Sequence, residues 1–302
     1  MMFTNVADVQ DKLEKADYIT SREIATVVFL AEATNKPILV EGPAGVGKTE
    51  LAKAVARALD LQLIRLQCYE GLDEAKALYE WEYAKQLLYT QMVKEKIHDV
   101  IAGAGTLSDA VEKIASQEDA FFSERFIQPR PLLQAITSSK RVVLLIDEVD
   151  KSDPEFEAFL LELLSDFQVS IPEIGTKKAL MIPFVVLTSN NYRDMSDALK
   201  RRCIHIYIDY PERDLELRIV RLKIPGISER LSDRLVDSIR AIRQLDLKKK
   251  PCISETLDWA RSLMALSVEE LTSEVLVDTL NMICKYKADS ETVKANIAGL
   301  MG

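Results

Sequence analysis

Residues 38–49 read Ile38-Leu39-Val40-Glu41-Gly42-Pro43-Ala44-Gly45-Val46-Gly47-Lys48-Thr49. A short apolar run of β-type sequence enters a glycine-rich turn, and a helix-forming stretch follows to about Leu59. The turn fits G-x-x-x-x-G-K-[ST] at every fixed position. Glycine lets backbone N–H groups curl around an anion without a Cβ clash. The helix behind the turn presents its N-terminus to the same anion. Lys48 then brings a positive charge to the outer phosphates of a nucleotide, and Thr49 offers a hydroxyl to Mg²⁺. The candidate nucleotide-binding residues are Gly42, Pro43, Ala44, Gly45, Val46, Gly47, Lys48, Thr49 and Glu50. Thr49 is also a candidate metal ligand.

Working outward, Val142-Val143-Leu144-Leu145-Ile146 is an apolar strand that ends in Asp147-Glu148. Ligands of open α/β sheets bind at the carboxyl edge of the strands, where these two carboxylates fall. Asp147 is the candidate second metal residue, and Glu148 the candidate group that polarises an attacking water. A further buried-type strand, Phe184 to Leu187, ends in Thr188-Ser189-Asn190-Asn191. An amide there is placed to hold the attacking water, and its distance past the apolar run favours Asn190 over Asn191. Asp197 through Cys203 carries Arg201 and Arg202. An arginine reaching the terminal phosphate from a neighbouring subunit neutralises charge that develops in phosphoryl transfer. The competing reading is a basic helix end that complements the macrodipole. Asp150 and Lys151 read as loop charges or neighbour-subunit contacts.

The remaining apolar runs, Leu61 to Leu66 and Ile204 to Ile208, complete a set separated by helical segments. That alternation predicts an α/β fold with a parallel sheet covered by helices on both faces. The first helix is expected to begin at Thr20, which has capping-box spacing to Glu23. An insertion over about 69–140 reads mainly as helix, with Ala84, Leu87, Leu88, Met92, Val93, Ile97 and Ile101 at helical spacing. Gly103 and Gly105 interrupt it, a second helical stretch runs to about Ala115, and Gln128 to Pro131 marks a turn. A second interruption over about 169–181 reads as a β-hairpin. Asp153-Pro154 has the N-cap and N1 pattern of a new helix. After Pro211 only helical stripes remain, such as Leu231, Leu235, Ile239 and Ile242. The domain division is therefore expected at residues 1–210 and 211–302.

Composition removes several classes. The formal net charge is −9, which argues against nucleic acid as the main partner. Lys248, Lys249 and Lys250 read as a solvated loop. The four cysteines lie too far apart for a zinc motif and are expected to be free, buried thiols. His98 and His205 read as structural. No apolar run has the length of a membrane span, and the N-terminus lacks a signal-peptide pattern. The cytoplasm is the expected location.

A phosphate loop, an acidic strand end, a polar strand end and an arginine pair thus stand in order. That order resembles the AAA+ ATPases. Leu66 to Asp73, Tyr79 to Tyr83, Ile171 to Thr176 and Asp197 to Cys203 are similar to the MoxR-like branch, and within it to CoxD-type members. The similarity spans roughly residues 15 to 265. It implies a P-loop AAA+ core with a five-stranded parallel sheet, an all-helical C-terminal lid domain, and both insertions projecting on one face toward partners. It also implies ATP and Mg²⁺ as ligands, and a ring, as a hexamer, with active sites between subunits. A chaperone-like role is implied too, with a von Willebrand factor A-domain protein, in maturing a metalloenzyme client. Lys48, Thr49, Asp147 and Glu148 take the phosphate, metal and water roles. Asn190 becomes the first sensor, and Arg201 or Arg202 the finger. The lid departs from the family pattern. Where many relatives carry Ser-Pro-Arg, this chain reads Ser254-Glu255-Thr256. Arg261, further along that helix, is the candidate second sensor. Two other classes stay open on the sequence: a nucleic-acid motor, and a nucleotide-gated scaffold with little hydrolysis.

Overall fold

The computed structural model describes residues 2–92, 106, 124–172 and 174–300. Along strand β1 (Ile38–Glu41), Leu39 packs into one hydrophobic cluster while Ile38 and Val40 pack into another. Strand β2 covers Leu63–Gln67, and Tyr79–Trp81 and Ile127–Pro129 form β3 and β4. Strand β5 (Val143–Asp147) sends Leu144 and Ile146 to the first cluster, and Val143 and Leu145 to the second. Gln168–Ile171 and Gly175–Lys178 form β6 and β7, Phe184–Ser189 forms β8 and Ile204–Tyr207 forms β9. Period-two side-chain alternation in fully apolar strands demands a covered face on each side. Helices Val6–Lys15, Arg22–Thr34 and Lys48–Ala58 supply one cover, and Pro131–Thr137 with Pro154–Asp166 the other.

The main sheet has five strands in the order β2-β5-β8-β1-β9, and every pairing in it is parallel. Parallel pairing brings the carboxyl ends of β1, β5 and β8 to one edge. The phosphate-loop sequence, the acidic pair and the polar amides all leave the sheet there.

Beyond Pro211, helices Arg213–Lys223, Glu229–Arg243, Ile253–Ala265 and Ser273–Thr279 enclose a third cluster around the fully buried Trp259. Its indole Nε1 donates to Thr279 Oγ1 at 2.8 Å, the partner a buried indole needs. The buried Arg243 donates to both carboxylate oxygens of Glu216 at 2.7 Å and to the Pro251 carbonyl at 2.8 Å.

Several expectations need correction. The first helix is Val6–Lys15, capped by Asn5 and buried through Val9 and Leu13. The next is capped by Ser21, whose side chain accepts from the Ile24 N–H, and not by Thr20. Among the described residues of the insertion helix predominates, in Glu74–Leu78, Tyr83–Met92 and Pro131–Thr137, but an unexpected antiparallel strand pair, β3 and β4, accompanies it. The expected turn at Gln128 to Pro131 is instead the end of β4, followed directly by the Pro131 helix. Proline is tolerated there because Pro129 is the last residue of a two-stranded pair, where a missing N–H costs no ladder bond. The second hairpin forms as β6 and β7, which pair antiparallel. Val93, Ile97, His98, Ile101, Gly103, Gly105, the stretch to Ala115 and Glu173 lie outside the described residues. All four cysteines are free and buried. Among the described residues, no helix is long and apolar enough to cross a membrane.

Candidate nucleotide site

The turn after β1 is built from close backbone approaches. Gly42 has φ +146°, and a Cβ there would meet the Ile208 carbonyl oxygen at 2.0 Å. Gly45 has φ +76°, and a Cβ there would meet the Cys252 sulfur at 2.2 Å. Only glycine fits either place. The second contact seats the loop against the N-terminus of the Ile253–Ala265 helix. Lys48 is buried, and its Nζ donates to the Gly42 and Pro43 carbonyls at 2.7 and 2.6 Å. Burial lowers its pKa to about 8, and the negative charges of Asp150, Asp147 and Glu148 offset part of that fall.

Asp147 sits almost fully buried at the end of β5. Its Oδ1 accepts from Thr49 Oγ1 at 2.9 Å and from Thr188 Oγ1 at 2.5 Å. Its Oδ2 accepts from Arg65 through Nε at 3.0 Å and Nη2 at 2.6 Å. A hydroxyl and a carboxylate in contact beneath the phosphate loop form a hard oxygen donor set, which suits Mg²⁺. Lys48, Thr49, Asp147, Glu148, Thr188, Asn190 and Ser254 line a single cleft of about 250 Å³.

Glu148 adopts φ +56°, a left-handed backbone that bulky residues rarely enter and that collects at functional sites. Its N–H donates to Thr188 Oγ1 at 2.9 Å, so this one threonine fixes both acidic residues to β8. The Glu148 carboxylate accepts from Asn190 Nδ2 at 3.1 Å, Gln67 Nε2 at 2.8 Å and Lys151 Nζ at 2.6 Å. Arg65 also donates to the Gln67 side chain. A continuous polar chain therefore joins both carboxylates to the exposed end of β2. Asp150 is only 1% exposed, which removes it from both roles read for it in sequence. Lys151 is a partner of Glu148.

Arg65, Gln67, Thr188 and Ser254 escaped the sequence reading. Thr188 and Gln67 carried a faint signal, as polar residues at the ends of strands that point to the same edge. Ser254 was noted only as the start of the altered lid motif, with no role of its own, because it enters the cleft from a helix some two hundred residues downstream.

A second cavity, of about 630 Å³, adjoins the first. Tyr18 and Ile19, Gly45 to Gly47, Tyr207 to Pro211, and Leu257 and Arg261 line it. It is mostly apolar with polar edges, as nucleoside pockets are. Arg261 is half exposed there and pairs with Asp258 at 2.8 Å. Arg201 and Arg202 line neither cavity. Arg201 is exposed, with Nε donating to the Asp197 carbonyl at 3.1 Å, and Arg202 donates to Ser165 Oγ at 2.5 Å.

Fold and cleft together define a P-loop nucleotide-binding protein. The model of the ATPase family associated with various cellular activities (AAA) matches residues 38–210, and the chain belongs to that family. An uncharacterized protein of Staphylococcus aureus (strain USA300) is 23% identical over 276 residues, covering 87% of this chain and 91% of the relative. One from Staphylococcus epidermidis is 24% identical over the same length and coverage. Among solved structures, the chain is similar to a mutant of Thermotoga maritima RuvB, with TM-score 0.48, 17% identity, and coverage of 92% of this chain and 70% of that one. It is also similar to the structure titled Thermotoga maritima RuvB Holliday junction branch migration motor, with TM-score 0.46, 15% identity, and coverage of 90% and 68%.

Proposed function

We propose that this chain hydrolyses ATP with Mg²⁺ as a ring of identical subunits, and uses the cycle to remodel a protein partner. One observation carries the hydrolytic part. Lys48, Thr49, Asp147, Glu148 and Asn190 line one cleft at the carboxyl edge of three parallel strands. Residues 1–210 form the nucleotide-binding core in this reading, and residues 211–302 the lid.

Each residue has a defined task. The backbone from Gly42 to Gly47, with Pro43, Ala44 and Val46, wraps the phosphates, and Glu50 follows on the same helix. Lys48 leaves its two carbonyl acceptors and pairs with the outer phosphates. Thr49 and Asp147 would hold the metal through a hydroxyl and a carboxylate oxygen. Bound Mg²⁺ would neutralise charge on the phosphate oxygens. Glu148 takes a proton from the attacking water, and Asn190, already hydrogen-bonded to Glu148, orients that water. Arg201 or Arg202 serves the site of the adjacent subunit in this reading, and its absence from the lining of its own cleft agrees with that role. Arg261 reads the nucleotide from the lid side of the larger cavity.

The finer reading is a MoxR-like, CoxD-type chaperone working as a hexamer with a von Willebrand factor A-domain protein, acting on a metalloenzyme. The sequence stretches from Leu66 to Asp73 and from Ile171 to Thr176 support it. Mixing subunits tests the shared site. Subunits lacking both Arg201 and Arg202 are combined with Glu148→Gln subunits. Each preparation alone is inactive, and the mixture regains turnover where an intact arginine faces an intact Glu148. No recovery at any ratio would take the arginines out of the neighbour's site. The chaperone role is tested by activation of an apo-metalloenzyme with ATP, using Glu148→Gln as control. Equal activation by both would leave no role for hydrolysis.

A further inference from the structure

The Asp150 side chain is buried and makes two backbone contacts that no loop charge needs. Its Oδ2 accepts from the Asn190 N–H and the Tyr192 N–H, both at 2.9 Å. Between those two amides Asn191 adopts φ +59°, so the chain bends around a single carboxylate oxygen. Its Oδ1 is buried without a hydrogen-bond partner among the described residues. A carboxylate held away from water with one oxygen unpaired is costly.

We propose that Asp150 is a positioning residue for the reaction, fixing the Asn190 backbone so that the Asn190 amide meets Glu148. This rests on the reading of Asn190 as the residue that orients the attacking water. The links are short. Asp150 sits in the single turn Val149–Lys151 directly after Glu148, and Asn190 follows β8. The bond from Asp150 therefore ties the segment after the acidic strand to the segment after the polar strand. The Asn190 side chain crosses the same gap to Glu148 at 3.1 Å. The backbone of Asn190 is thus held by Asp150 within the turn, and its side chain by Glu148, the residue that caps it.

A competing route runs through charge, since Asp150 also acts electrostatically on Lys48. Two substitutions separate the routes. Asp150→Asn keeps an oxygen that accepts both amides but removes the charge. Asp150→Ala removes both. If Asp150 acts by holding the loop, Asp150→Asn retains most of the turnover. Asp150→Ala then loses about 10- to 100-fold in kcat, the scale of a small misplacement of a reacting group, with ADP affinity within about two-fold of wild type because the phosphate loop is untouched.

The deciding experiment is a double-mutant cycle on kcat with Asn190→Ala. Asp150→Ala is expected to add nothing in the Asn190→Ala background, because its effect passes through Asn190. Multiplying losses would overturn the proposal, as would an unchanged kcat in Asp150→Ala. Asp150→Asn losing ADP affinity would assign the residue to Lys48 instead and overturn it equally. Asn190→Ala with wild-type turnover would instead overturn the reading of Asn190 itself, and the proposal with it. Asp150→Ser, whose hydroxyl is too short to reach both amides, replaces Asp150→Ala if the latter unfolds.

Discussion

Asn190 Nδ2 donates to Glu148 Oε1 at 3.1 Å, which joins the end of β8 to the residue after β5. The bond spans the gap where an attacking water would sit between an orienting amide and an accepting carboxylate. Asn190→Ala is expected to lower kcat by about 100-fold, as removal of a preorganised donor does, with KM for ATP little changed. Steady-state kinetics check this. A rise in KM at constant kcat would make Asn190 a binding residue only.

Arg65 places two N–H groups on Asp147 Oδ2, and so holds a positive charge beside the residue read as the metal carboxylate. Like charges a few ångströms apart repel. Arg65→Met is expected to tighten Mn²⁺ binding in the presence of ADP by about three- to ten-fold, the scale of one neighbouring charge partly screened by solvent. Electron paramagnetic resonance titration of Mn²⁺ measures it without turnover. Weaker Mn²⁺ binding would mean that Arg65 orders the carboxylate and does not oppose the ion.

Lys48 has a pKa lowered by burial to about 8. Nucleotide phosphates bind its protonated form. Raising the pH through about 8 removes that proton from the free protein, so ADP affinity is expected to fall above that point. The sign for stability is the opposite. Between about 8 and the ordinary lysine value of 10.5 the unfolded chain holds more protons than the folded one, so this group's contribution to stability rises with pH there. Calorimetric titration of ADP from pH 7 to 9.5 reads the affinity. Lys48→Met should give a weak and flat profile.

Gly45 meets Cys252 so closely that any side chain displaces one of them. Gly45→Ala is expected to destabilise the protein by about 1–3 kcal/mol, from its positive φ and the overpacked sulfur. Cys252→Ala in that background should recover the part due to the sulfur, and leave the backbone part and the 2.9 Å approach of the residue 252 Cβ. Thermal melts of the two single variants and the double variant separate the contributions. Strict additivity would deny the contact.

Arg243 and Glu216 form a buried pair in the helical segment, exposed by 6% and 0%. Removing one partner leaves an uncompensated charge, and Glu216→Ala is expected to cost about 3–5 kcal/mol. Denaturant unfolding reads it. A loss below about 1 kcal/mol, the range of exposed pairs, would show that water reaches the site.

The central strands β1, β5 and β8 were legible as continuous apolar runs of the right length, whereas the edge strands β2 and β9 carry polar residues on alternate positions, and the phosphate loop was legible because chemistry restricts each position. Glu148, Asp147 and Asn190 were legible as polar ends of those runs. Other features depend on tertiary partners that no local pattern encodes. The Val6–Lys15 helix is short, and only Val9 and Leu13 mark its buried face. Strands β3 and β4 are three residues each and lie far apart in sequence. Arg65 and Gln67 face the site only because β2 pairs with β5 in register, with Gln67 opposite Asp147. Asp150 looked like a solvated loop charge because its two partners are backbone amides about forty residues away.

The central claim is that Glu148 drives hydrolysis in a site completed by a neighbouring subunit. ATP turnover per subunit, measured against protein concentration for wild type and Glu148→Gln, tests it most directly. The account expects wild-type turnover to rise steeply with concentration, and Glu148→Gln to assemble on ATP without turning it over. Turnover that is independent of concentration, or that survives the substitution, would contradict it.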